Sequence, residues 1–301
     1  MDKFDIQIIS NLLNNCRKPD RQIGKEIGIS GSVVKSRIQK MIKNKIIEEF
    51  ALKIEPHVLG FSVLYFVVKG KEIEDILKQI RFVGEPFFVV PCVGGITVCS
   101  IVVKEDPIKK MELAKRLLHD VRVLSIFEAK NPEIRSDLTK TDIKIIDILL
   151  EKPRLKIESI AKESGFSTKT ITRSLEKLQN DEAIQFTIIH NPKKMGEFIP
   201  FTILVLVNGD VRKTLSKLTK IFSESFLQKP FLHLNQIVLF MFTDNVYKMD
   251  DLVKSAHEIE TIQSVDLFIP KIISFPQKWA RDAILAAKKS KRLHLIPEIH
   301  S

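Results

Sequence analysis

The stretch from Pro19 to Ile47 holds the side chains whose types and spacing point most directly to chemistry. From about Gly31 to Asn44 it carries Lys35, Arg37, Lys40 and Lys43 and no Asp or Glu. A helix with a basic face and no balancing acid suits a polyanion, and duplex DNA is a polyanion whose major groove admits an α-helix. On that reading Ser32, Val33 and Ser36 could reach base edges, Val33 against thymine methyls, while Lys35, Arg37 and Lys40 contact base edges or phosphates. The plain alternative is a solvated basic helix face. A second set, Thr168, Lys169, Thr170, Thr172, Arg173 and Lys177, occupies the matching face of a later helix. Glu176 lies nearby and would work against phosphate contact. Whether that helix meets DNA or only supports its partner copy is open at this level.

The elements that must position these side chains are legible. Lys3 to Asn14 places Phe4, Ile6, Ile8, Ile9, Leu12 and Leu13 at helical spacing. Asp20 can cap a second helix that stops at Gly28, and Ser30 can cap the third. Val34, Ile38 and Met41 lie on one face of that third helix, ready to pack on the first two. Ile46 to Ile54 reads as a wing strand ended by Pro56. The pattern predicts a helix-turn-helix with a wing.

This unit occurs twice. Asp5-Ile-Gln-Ile-Ile returns as Asp142-Ile-Lys-Ile-Ile, an offset of 137 residues that also pairs Gly28 with Gly165, Ser30 with Ser167 and Lys40 with Lys177. One deletion later, at offset 136, Phe50 meets Phe186, Pro56 meets Pro192 and Gly60 meets Gly196. After each helical part comes a β-α-β-β-α-β order, that of a ferredoxin-like sandwich. The expected fold class is therefore α+β, with two winged helix-turn-helix domains each followed by a ferredoxin-like module. The expected boundaries are 1–60, 61–137, 138–196 and 197–273, with a basic C-terminal helix and tail over 274–301. The linker between copies falls near Asn131 to Thr139.

The charge follows the same division. The net formal charge is +11. Residues 1–60 hold 11 basic and 7 acidic side chains, residues 138–196 hold 11 and 8, and residues 271–301 hold 7 and 2. Residues 197–270 are instead slightly acidic, so the excess is segregated in the manner of a nucleic-acid footprint. In the tail, Lys288, Lys289, Lys291 and Arg292 would either follow the DNA backbone or serve as a solubilising end.

Other chemistries find little support. The 7 histidines and 3 cysteines lack metal-ligand spacing. There is no glycine-rich phosphate loop and no nucleophile–base pattern. No metal, cofactor or catalytic residue is expected, and an enzyme is not. Trp279 and Phe275 are expected to anchor the last helix. The chain shows neither an export signal nor an apolar run of membrane-spanning length, so a cytoplasmic location is expected.

The residues Asp5, Ile8, Ile9, Ile27 to Ser30, Val34, Arg37, Ile38, Met41, Ile46, Ile47, Pro56, Leu59 and Gly60 together resemble the leucine-responsive regulator/AsnC (Lrp/AsnC) family of prokaryotic transcription regulators, of archaeal type. The second copy is similar and more diverged. The resemblance covers almost the whole chain and implies a sequence-specific DNA-binding regulator with double-stranded DNA as partner. It also implies that each αβ segment resembles a ligand-sensing and dimerisation module. Family members usually carry one unit and dimerise. Two units in one chain imply a pseudo-dimer within the chain whose two sheets pack together, with further homo-oligomers open. A small-molecule effector would contact the turn at Gly94 and Gly95. That turn keeps the family's glycines and lacks its Tyr and Asp, which argues against an amino acid as the effector. Two rival readings remain: an interaction scaffold that retains helix-turn-helix domains, and a sirohaem-decarboxylase-like enzyme. The latter would need a His- and Tyr-rich stretch, and the chain has only Tyr65 and Tyr247.

Overall fold

The computed structural model describes residues 1–129 and 137–289. The expected linker at Asn131 to Thr139 lies mostly outside the described residues, as do Lys291 and Arg292. The first helical part comprises α1 (Lys3–Asn14), α2 (Asp20–Ile27) and α3 (Gly31–Lys43), followed by β1 (Ile47–Ile54). The first αβ module runs β2 (Ser62–Lys69), α4 (Ile73–Ile80), β3 (Glu85–Pro91), β4 (Ile96–Val103), α5 (Pro107–Leu117) and β5 (Arg122–Ala129). The second copy repeats the order: α6 (Lys140–Glu151), α7 (Ile157–Ser164), α8 (Thr168–Asn180) and β6 (Ile184–His190), then β7 (Ile199–Val207), α9 (Val211–Ile221), β8 (Phe231–His233), β9 (Gln236–Thr243), α10 (Val246–His257) and β10 (Ile262–Phe268). A further helix, α11 (Lys278–Lys289), closes the described chain. Among the described residues no helix is long and apolar enough to cross a membrane.

The two copies end their elements in the same way. α2 and α7 both stop at a left-handed glycine, Gly28 with φ 79° and Gly165 with φ 75°. α3 and α8 both end in a Schellman turn. Ile46 N–H donates to Met41 O at 2.9 Å in the first, and Ala183 N–H to Leu178 O at 2.9 Å in the second. The left-handed residue of these turns is Lys45 (φ 57°) and Glu182 (φ 53°), at equivalent positions, where glycine would be relaxed. Each sheet is four-stranded, β3-β4-β2-β5 in the first module and β8-β9-β7-β10 in the second, the same order twice. Each packs its helices on one face: Leu64, Phe66, Cys99 and Ile101 against Ile76, Ile80 and Ala114 in the first, and Phe201, Ile203, Ile237 and Leu239 against Leu218 and Ala256 in the second.

Two findings depart from the simple reading of the sequence. The expected wing strand, β1, has no partner in its own copy; it pairs with β6 in a two-stranded sheet. A single strand leaves its N–H and C=O groups unpaired, and its repeat offers a strand of nearly the same length, 7 residues against 8. The compact units also do not follow chain order. One contains Met1–Glu49, Val90–Ile96 and Ile188–Ile273; the other contains Phe50–Val89, Thr97–Thr187 and the chain from Ser274 onward. The first helix-turn-helix therefore shares a unit with the second αβ module. The second helix-turn-helix shares one with the first αβ module.

Candidate nucleic-acid interface

In the first unit, α3 is held on α1 and α2 by Val34, Ile38 and Met41, which are 0–3% exposed. Ser30 caps α3 by accepting a hydrogen bond from Val33 N–H at 3.3 Å. The helix–helix approach is close: a Cβ on Gly24 would lie 2.4 Å from Ile29 O, and one on Gly31 would lie 2.9 Å from Arg21 Cα. This packing leaves Ser32, Val33, Lys35, Ser36, Gln39, Lys40 and Lys43 exposed on α3. The structure thus brings five of the six predicted first-copy residues to an open face that contains no acid. Gln39 and Lys43 share that face.

Arg37 is placed differently. Its Nη1 lies 2.8 Å from both Asp2 and Asp5, and its guanidinium stands 5.6 Å from the Phe4 ring centre. Asp2 and Asp5 form the capping box of α1. Asp5, followed by the cost of burial and then Asp2, shapes the protonation of Arg37, and the net result is a guanidinium held more firmly charged than usual. Arg37 thus ties the recognition helix to the start of α1. The sequence carried a signal for this pairing, an acid at the first helix's third position.

The second unit solves the same problem with other residues. Thr139 and Asp142 form the capping box of α6. Asp142, 3% exposed, accepts a hydrogen bond from Ser174, which stands at the position of Arg37. Lys177 Nζ lies 3.1 Å from Asp142 Oδ2 and 2.8 Å from Asp137 O. Burial alone would raise the Asp142 carboxyl; hydrogen bonds from Ser174, Thr139 and Lys177 outweigh it and hold the group below the usual carboxylate range. Lys177 is therefore engaged in the fold as Arg37 is. Thr172 is half-buried and returns its hydroxyl to Thr168 O at 3.0 Å, and Thr170 shares a 2.9 Å hydrogen bond with the cap Ser167. Thr168, Lys169, Thr170, Arg173 and Glu176 remain exposed. The two faces thus differ: Ser32, Val33, Lys35 and Ser36 stand where Lys169, Thr170, Thr172 and Arg173 stand in the second copy.

Gly94 and Gly95 form the exposed β3–β4 turn with φ of 79° and 74°, which accounts for glycine at both positions. Beside that turn, Val93 N–H donates to Ile269 O at 2.9 Å and Lys271 N–H to Pro91 O at 2.8 Å. In the second module the matching turn carries Leu234 at φ 48°. Among the described residues there is no cluster of side chains able to hold a metal ion.

Two helix-turn-helix cores, each presenting one solvent-facing helix, define a DNA-binding protein of the winged helix-turn-helix class. Residues 1–42 match the AsnC-type helix-turn-helix domain, and residues 138–185 match winged helix-turn-helix DNA-binding domains. The HTH-type transcriptional regulator Ptr1 of Methanocaldococcus jannaschii is 29% identical over 109 residues, covering 35% of this chain and 74% of that protein. The HTH-type transcriptional regulator FL11 of Pyrococcus horikoshii is 35% identical over 83 residues, covering 27% of this chain and little more than half, 55%, of that protein. The crystal structure of the siroheme decarboxylase NirDL aligns over 95% of this chain and 100% of its own, at 12% identity and a TM-score of 0.47, too loose a likeness to bear on function. The chain thus carries two helix-turn-helix units, the first matching the AsnC-type domain, and is similar over part of its length to HTH-type transcriptional regulators.

Proposed function

We propose that the protein is a sequence-specific, non-catalytic regulator that reads duplex DNA with two unlike recognition helices carried on one chain. The observation that carries this reading is the exposed, acid-free face of α3, set by a buried Val34–Ile38–Met41 stripe and a serine cap. Ser32, Val33, Ser36 and Gln39 are its base-reading candidates, and Lys35, Lys40 and Lys43 its phosphate contacts. On α8, Lys169 and Arg173 take the cationic roles and Thr168 and Thr170 the polar ones. Arg37 and Lys177 are assigned to holding their helices rather than to the groove. The duplication takes the place of a second subunit, a reading supported by units that each combine the reader of one copy with the sheet of the other. An electrophoretic shift on enriched genomic fragments tests it: Lys35→Glu with Lys40→Glu should abolish the shift. A shift left intact would favour an interaction scaffold in place of a DNA reader.

A further inference from the structure

The C-terminal helix α11 lies beyond the second copy and, among the described residues, has no counterpart in the first. Its N-terminal end is fixed to the first αβ module. Trp279, 4% exposed, meets Phe61 edge-on at 5.5 Å and Phe87 at 5.8 Å. Lys278 Nζ lies 3.0 Å from Glu85, and Gln277 Nε2 donates to Leu52 O in β1 at 3.3 Å. The remainder of the helix runs along α6, the first helix of the second helix-turn-helix. Ala280, Ala283, Ile284 and Ala287 form its buried stripe, and small side chains at this spacing let two helix axes come close. Arg281 pairs with Glu151 at 2.8 Å and Lys288 with Asp147, which sets the two helices antiparallel.

We infer that α11 is a clamp that positions the second recognition helix on the first αβ module. Its match to α6 is specific. The positions on α1 equivalent to Asp147 and Glu151 are Ser10 and Asn14, which offer α11 no charge partners. The first helix-turn-helix instead meets the second αβ module through Asn14, which accepts from Lys229 N–H at 3.1 Å. Lys288, considered above for the DNA backbone, serves the clamp.

The consequence for DNA rests on the proposed DNA reading; the clamp itself does not. Spin labels at K78C on α4 and K162C on α7 occupy exposed positions, and the three native cysteines are buried. The full chain should give one narrow distance distribution between them. A283E with I284E should broaden it at least twofold, as should A283P, which breaks α11 behind the Trp279 anchor. An unchanged narrow distribution in both variants would overturn the clamp. Loss of cooperative melting in both would also overturn it, by making α11 part of a folding core. With random DNA, the unmodified chain should select one half-site spacing, and the variants should lose at least tenfold of that preference. Broadened distances without any DNA enrichment in the unmodified chain would leave the clamp standing and remove the DNA reading.

Discussion

Arg37 and Lys35 stand two residues apart on one helix and do different work. Arg37 bridges Asp2 and Asp5, whereas Lys35 and Lys40 are exposed with no acid on their face. Lys35→Ala and Lys40→Ala should each reduce the slope of log affinity against log salt by about one and leave the melting temperature unchanged. Arg37→Ala should lower stability by about 1 kcal/mol, as a partly exposed ion pair does, and leave that slope nearly intact. Binding across a salt series, paired with thermal melts, checks both. His190 offers a second test. It is 4% exposed, its Nε2 has no hydrogen-bond partner, and burial pushes its pKa down to about 4. The folded state keeps it neutral, so stability is intact above the unfolded value near 6.5 and falls as pH drops from there toward 4. The loss should reach ~3 kcal/mol at its limit, and His190→Phe should abolish that part of the acid sensitivity in urea titrations at pH 7 and pH 5.

At the scale of elements, the caps and stops of the helices were readable because each is a local rule met by one residue. Ser30 and Ser167 begin the recognition helices, and Gly28 and Gly165 end the helices before them. The same local logic marks a correctable defect: Lys45 and Glu182 hold the left-handed position of two Schellman turns. Lys45→Gly and Glu182→Gly should each raise the unfolding free energy by about 0.5–1 kcal/mol, read from denaturant midpoints. The buried carboxylate of α6 predicts the opposite sign. Asp142→Ala leaves Ser174 without its acceptor and Lys177 without its carboxylate partner, and should cost about 2–3 kcal/mol, observable as a lower melting temperature for α6 to α8. Which polar residues hold a helix and which face outward was not legible from pattern alone. Arg37 and Lys177 have the type and spacing of readers, and pattern alone does not show that Asp5 and Asp142 lie against them in space.

For the whole molecule, the duplication was legible because an in-phase repeat keeps apolar positions, a turn glycine and a cap serine together. Its consequence was not. No local rule says that β1 will pair with β6, or that each unit will combine a helix-turn-helix from one copy with a sheet from the other. Nor does composition say that a basic C-terminal helix will lie along α6 through an alanine stripe; the anchoring by Trp279 and Phe275 was foreseeable. The two helices α3 and α8 carry different residues at matching positions, Ser32-Val33 and Lys35-Ser36 in one and Lys169-Thr170 and Thr172-Arg173 in the other. The most direct test of two unlike readers on one chain is selection of bound sites from a random DNA pool with the full-length protein. Two dissimilar half-sites should be recovered, the first losing its information under Ser32→Ala and Ser36→Ala and the second under Lys169→Ala and Arg173→Ala. A perfect palindrome, or a single half-site indifferent to the α8 substitutions, would contradict the account.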